Sequence, residues 1–239
     1  MRYLLAYVRL QLLELLRLPS FLIPMATFPV LLYLTVGLRS GGPPGQTLFN
    51  YAAFAMLGAA MFQFGVGIAA TRNDPWNLYL LSLPASPRQR IFAQLLAGVV
   101  FAVLFASPFA VIGMLFGGFQ GIPPTALGLA SAALVTGALV HGCLGLALGY
   151  WLPSRGALPI ANLIYFPLSF LGALFGPVDF GPWQPLHTWS PTGAWSDLIA
   201  AALHGSVAIP ALLILAGYLL LCSAIAVLGY RRVQQTVYR

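Results

Sequence analysis

Residues 125–151 read TALGLASAALVTGALVHGCLGLALGYW, twenty-seven positions without an Asp, Glu, Lys or Arg. A helix needs about 20 predominantly apolar residues to cross the hydrocarbon core of a bilayer. Lipid offers no partner for open backbone groups, so a helix is the form such a stretch takes there. Comparable stretches fall at 20–38, 48–70, 91–117, 157–176 and 207–229, each with acidic or basic residues only at its margins. The fold expected is a single all-α membrane domain over residues 1–239 with six transmembrane helices.

Composition agrees with that reading. Only 6% of the 239 residues are charged and 60% are hydrophobic, with mean hydropathy +0.89, whereas a soluble domain carries about 25% charged residues. The chain has too little polar surface to dissolve, and the lipid bilayer is its solvent. The net charge of +7 does not indicate nucleic acid, because the cations stand singly or in small groups between apolar stretches and form no basic stripe with interleaved aromatics. All eleven cations are Arg and none is Lys. The P-loop GxxxxGK[ST] needs its Lys to reach the terminal phosphates, so any ATP-driven work requires a separate chain. Cys143 and Cys222 lie inside apolar segments without metal or disulfide spacing. Arg9, Glu14 and Arg17 interrupt what would be the apolar core of a cleavable signal peptide.

Counting arginines sets the orientation. Ten of the eleven (Arg2, Arg9, Arg17, Arg72, Arg88, Arg90, Arg155, Arg231, Arg232 and Arg239) fall on one side of a six-span chain, and Arg39 alone falls on the other. The positive-inside rule then places both termini of this multi-pass chain in the cytoplasm. Residues 2–18 differ from the spans. Leu4, Leu5, Val8, Leu12, Leu15 and Leu16 cluster on one helical face, and Arg2, Arg9, Glu14 and Arg17 spread over the opposite side. This predicts an amphipathic interfacial helix, with Pro19 at the bend into the membrane; a cytoplasmic extension of the first span is the plainer reading. Pro24, Pro29, Pro108, Pro159 and Pro167 fall inside spans, where proline kinks a helix. Gly113–Gly117, Gly145–Gly149 and Gly172–Gly176 have the spacing that allows close helix approach.

His141, near the middle of the fourth span, is the ionisable group to examine first. No carboxylate lies at membrane depth to complete a proton relay, and a neutral ring hydrogen-bonded to a neighbouring helix is the bland alternative. Gln63, Gln94 and Asn162 either line a polar path or tie helices together. Ser107, Ser131 and Ser223 lack the Gly-rich setting of an exposed nucleophile, and HExxH is absent. No catalytic residue and no metal site are expected, so the chain does not read as an enzyme.

Two connections carry more information. The loop Thr71-Arg72-Asn73-Asp74-Pro75-Trp76-Asn77-Leu78-Tyr79-Leu80-Leu81-Ser82-Leu83-Pro84 holds an amphipathic segment, Trp76 to Leu83, bracketed by prolines. Exposed Trp, Tyr and Leu on a short helix suit either a partner's hydrophobic groove or the lipid surface. The connection 177–206 is rich in Pro and Trp and has no Arg. Two short helices are expected there, the second starting near Pro191 with Ser190 as its cap. Trp183, Trp189 and Trp195 suit the outer interface, so this segment is expected to re-enter the membrane.

The segments Leu15-Leu16-Arg17-Leu18-Pro19-Ser20-Phe21 and Phe28-Pro29-Val30 come first in a series of family-like motifs. Leu80-Leu81-Ser82-Leu83-Pro84-Ala85-Ser86-Pro87 follows, and then Phe170-Leu171-Gly172-Ala173-Leu174-Phe175-Gly176-Pro177, Pro182-Trp183 and Ser190-Pro191-Thr192. In order and spacing they resemble the permease subunits of type-2 ABC exporters, over essentially the whole length. The family's acidic "E-R-E-x-G-T" element after the second span is replaced by Thr71-Arg72-Asn73-Asp74-Pro75-Trp76, which keeps Arg72, with Asp74 as the acidic member.

The resemblance implies two permeases, a homodimer or a pair of paralogues, joined to two separate ABC ATPase subunits. It also implies that ATP and magnesium are bound by those partners, with no cofactor on this chain. Arg72, Asp74, Trp76, Leu80, Leu83 and Pro84 would form the ATPase-coupling loop, and the interfacial helix with Arg9, Glu14 and Arg17 would help select the partner. The family's cargoes include lipids, glycan carriers and amphipathic drugs. An autonomous channel or secondary transporter is the alternative, but it usually needs carboxylates or broken helices at the membrane midplane.

Overall fold

A computed structural model describes residues 19–75 and 87–237, together with Arg9 and Leu13. The described residues form helices and no strand. In chain order they are α1 (Pro19–Thr35), α2 (Pro44–Thr71), α3 (Pro87–Leu115), α4 (Pro124–Trp151), α5 (Ala157–Leu171), α6 (Gln184–Trp189), α7 (Pro191–Leu203) and α8 (Ile209–Val237). Short 3-10 turns at Gly37–Arg39 and Gly181–Trp183 complete the path.

Local chemistry sets the helix ends. α2, α4 and α7 each begin with proline at the first helical position, where its missing N–H costs nothing. α4 stops at Leu152, extended at φ −72° and ψ 143°, because Pro153 disfavours helical backbone in the residue before it. Ser190 caps α7 as expected, its Oγ accepting the Gly193 amide at 2.9 Å. The middle of α2, Ala59–Gly67, is wound as a π-helix. Such wide turns usually occur singly, and nothing in the residue pattern announced this one.

Among the described residues, four helices (α2, α3, α4 and α8) are long and apolar enough to cross a membrane, and this is a membrane protein. α5 is apolar but has only 15 residues, about 23 Å at 1.5 Å per residue, against a hydrocarbon core of ~30 Å, and α1 is apolar over its 17 described residues. The stretch 157–176 stays apolar throughout, yet α5 ends at Leu171: Gly172 closes it and Ala173 turns back with φ 49°. Pro159 falls in the first turn of α5, where no kink follows, while Pro24, Pro29, Pro108 and Pro167 lie within their helices. The expected interfacial helix at 2–18 lies outside the described residues except for Arg9 and Leu13, both helical and exposed.

α2 and α4 form the interior. Of their most apolar windows, 78% and 67% are buried, against 33% for α3 and 22% for α8. α3 and α8 therefore turn Val100, Val103, Leu104, Leu213, Leu220 and Leu228 outward, a surface that suits lipid. α4 packs against α8, α7 and the π-wound part of α2. A Cβ on Gly145 would collide with the Ala60 carbonyl oxygen, and one on Gly149 with that of Phe64. Among the GxxxG pairs, this one brings two helix backbones into contact. Gly113 instead seats the Phe119 ring, and Gly172 ends α5.

Candidate functional site

At the end of the bundle where α2 and α4 finish, Arg72 follows the last turn of α2. Its Nη1 donates to the carbonyls of Gly149 at 2.9 Å and Tyr150 at 2.7 Å. Those oxygens belong to the last turn of α4, where helical partners run out and a cation also meets the negative end of the helix dipole. The Tyr150 hydroxyl donates to Gln94 Oε1 of α3 at 2.9 Å, and its ring meets Tyr230 of α8 edge-on at 5.5 Å. Trp151 Nε1 donates to the Ile225 carbonyl at 3.0 Å, with Arg232 lying over its ring. Four helices are thus tied together at the end of α2. Asp74 is exposed nearby, its amide donating to the Thr71 carbonyl. Trp76, Leu80, Leu83 and Pro84 lie outside the described residues, as do Glu14 and Arg17.

In the interior, His141 is fully buried on α4. Its Nδ1–H donates to the Gly137 carbonyl of its own helix at 2.8 Å, and its contact with a neighbour is a stack on Trp195, centroids 4.8 Å apart. The sequence suggested a hydrogen bond to another helix; a ring stack takes its place. Nε2 of His141 and Oε1 of Gln63 are buried without hydrogen-bond partners among the described residues. Trp195 was expected at the outer interface. It is instead fully buried, donating Nε1–H to the Ala133 carbonyl at 3.0 Å, and Gly137 makes the notch for its indole. Trp183 and Trp189 are largely exposed, as interface residues would be, and Pro191 is buried.

Asn162 lies on α5 at the edge of a cavity of about 320 Å³ between α1, α2 and α5. Pro24, Met25, Phe28, Phe62, Tyr165 and Phe166 supply its apolar walls. The Asn162 amide nitrogen donates to Leu158 of its own helix at 3.1 Å. The three polar residues other than His141 therefore separate: Gln94 ties helices, Gln63 is buried in the π segment and Asn162 lines a cavity. Hydropathy alone could not distinguish these roles.

The opposite end is closed by α6 and α7. His187 donates through Nδ1 to the Leu171 carbonyl at 2.6 Å and through Nε2 to Asp197 Oδ1 at 3.2 Å. Thr192 Oγ1 donates to the Leu168 carbonyl at 2.6 Å, and the Tyr218 hydroxyl to the Trp189 carbonyl at 3.0 Å. The hydrogen bond to Asp197 raises the His187 pKa above the ordinary 6.5, assisted by the Leu171 carbonyl and the carboxylate charge, while burial works the other way. The folded state thus favours the protonated ring. Its contribution is complete below the unfolded value near 6.5 and disappears as pH rises through the raised pKa. Thermal stability scanned upward from that value is expected to fall, and His187→Gln to flatten the scan; a decline unchanged in the variant would assign it elsewhere.

No family model matches this sequence. The chain is similar to a Bacillus subtilis (strain 168) protein named "Putative transport permease YvfS", 23% identical over 181 residues that cover 73% of this chain and 72% of that protein. The likeness to a transport permease holds. It agrees with the resemblance carried by the segments around Pro19, Pro84 and Pro191, and it supports a permease role for this membrane chain. Within a permease-like chain the three places acquire distinct chemical meanings. The Arg72 clamp joins a connection to a central helix, the α1–α2–α5 cavity offers apolar volume with one amide, and the α6–α7 hairpin closes one end.

Proposed function

We propose that the chain is the membrane-spanning subunit of an ATP-driven exporter whose ATPase is a separate chain. In this reading it spans a bacterial inner membrane six times with both ends in the cytoplasm, α1 and α5 completing their crossings with adjoining residues, and α6–α7 re-entering from outside. It pairs with a second permease. The cargo is amphipathic: the α1–α2–α5 cavity is apolar apart from Asn162 and holds no charge to complement a charged headgroup.

The observation that carries the proposal is the Arg72 clamp. The connection suited to a partner's groove leaves α2 just beyond Arg72, and Arg72 grips the end of the central helix. A push on that connection therefore reaches α4 without crossing lipid. The described acids (Asp74, Asp179 and Asp197) lie outside the four long spans, which argues against an ion-coupled carrier.

Purification from native membranes is expected to bring down a lysine-containing P-loop ATPase. The chain recovered alone, transporting across a pH gradient, would reverse the proposal. Trp76→Asp and Leu80→Asp are each expected to uncouple ATP hydrolysis from transport without unfolding the chain. ATPase binding and transport both unchanged in the two variants would sink the loop's assigned role.

A further inference from the structure

Between the start of α2, the 173–180 link, α6 and α7 lies a second cavity, of about 180 Å³. Its walls differ from those of the α1–α2–α5 cavity, being built largely from polar side chains: Gln46, Thr47 and Asn50 of α2, Gln184 of α6 and Asp197 of α7, with Phe180 beside them. Asn50 is fixed, its Nδ2 donating to the Ala173 carbonyl and its Oδ1 accepting from Ser196 Oγ, both at 3.4 Å. The side chains of Gln46, Thr47 and Gln184 have no hydrogen-bond partner among the described residues. Thr47 is buried, Gln46 half-buried and Gln184 exposed, so their polar groups face the mouth of the cavity, where water or a ligand meets them.

We infer that this cavity binds an uncharged, hydroxyl-rich group, one sugar ring in size. Its placement outside the cell rests on the orientation proposed above. Charge decides the class. Asp197 Oδ1 already accepts from His187 Nε2 at 3.2 Å, and no arginine or lysine lines the cavity. An anion would meet the carboxylate, and a cation would compete with His187 for it. Primary amides both donate and accept, hydroxyls do the same, and the half-exposed Asp197 side chain accepts; that mixture matches neighbouring hydroxyls, which need a donor and an acceptor each. Phe180, stacked on His187 at 5.0 Å, adds an apolar plate for ring C–H groups. At ~30 Å³ per water, the volume equals about six waters, the space of one pyranose.

The test uses the full chain in phospholipid nanodiscs free of sugar headgroups, read by saturation-transfer NMR with methyl glucoside, choline and inorganic phosphate as probes. Transfer to the methyl glucoside ring protons is expected, with none to choline or phosphate. The double variant Gln46→Leu/Gln184→Leu is expected to weaken binding at least about tenfold, as the loss of two hydrogen bonds implies. Thr47→Val serves as a second, smaller perturbation if the double variant does not fold. No transfer to the glucoside (water only), equal transfer to choline or phosphate, or undiminished binding in the variants would each overturn the proposal. A long-chain alkyl glucoside that binds more tightly than the methyl glucoside identifies a lipid-borne sugar, and equal binding identifies a free one. Sugar binding by a chain that purifies without an ATPase would count against the exporter reading alone and leave this site standing.

Discussion

Trp195→Ala is expected to destabilise the protein by about 3–5 kcal/mol, the range for removing a large buried aromatic side chain. Three contacts disappear together: the indole in the Gly137 notch, the stack on His141 and the hydrogen bond to the Ala133 carbonyl. The loss also frees α7 from α4, so the hairpin that closes this end loses its deepest anchor. Trp195→Phe keeps an aromatic face and forfeits the N–H, a milder change of about 1 kcal/mol. Gly137→Leu attacks the same joint from the other side by filling the notch, and should be nearly as damaging. Combined with Trp195→Ala it should be partly rescued, because the two positions share one volume and their effects do not add. Heating detergent-solubilised protein and following the monodisperse fraction by size-exclusion chromatography measures all four variants. A Trp195→Ala protein that melts with the parent would remove α7 from the load path of the fold.

Arg72→Ala is expected to cost less stability and more function. It leaves the Gly149 and Tyr150 carbonyls at the end of α4 without their cation, but Arg72 is only half-buried, so water replaces part of the bonding and the loss stays near the ~1.5–3 kcal/mol of a single hydrogen bond to a charged group. Because the residue ties the end of α2 to the central helix, the proposed function predicts that transport per ATP hydrolysed falls by about tenfold or more, the equivalent of ~1.4 kcal/mol in coupling. Arg72→Lys keeps the charge on a shorter reach and should recover part of it. Reconstituted ATPase and transport rates, measured together, separate the cases. Equal falls in both rates would indicate simple damage to the fold, whereas hydrolysis persisting while transport falls is the result the clamp requires.

The long helices were legible because apolar length is a loud signal. The stretches 48–70, 91–117, 125–151 and 207–229 correspond to α2, α3, α4 and α8 within several residues at their ends. Hydropathy failed where the backbone turns without becoming polar: residues 172–176 are as apolar as a span, and only the backbone at Gly172 and Ala173 reveals that α5 has ended. The Ser190 cap and Pro191 start were readable because capping is a local rule. The destination of Trp195 was not, since it depends on a glycine 58 positions earlier on another helix. Arg72 was singled out by its place in the loop, but its partners are backbone carbonyls, which carry no residue signature. His187 escaped notice because Asp197 approaches it across the turn between α6 and α7. The π winding of Ala59–Gly67 is matched to Gly145 and Gly149 and is equally silent in its own residues.

The central place of α4 has a consequence for biosynthesis. α4 is made before α7 and α8, the helices that complete its surroundings, and fifty-four positions separate His141 from Trp195. At ~5–20 residues per second, a ribosome needs roughly 3–11 s to deliver the indole. For that interval α4 stands in the bilayer with an open glycine notch and an uncovered imidazole beside it. A nascent chain halted between residues 151 and 191 should therefore cling to whatever insertion machinery can shield that face, and release only once α7 has emerged.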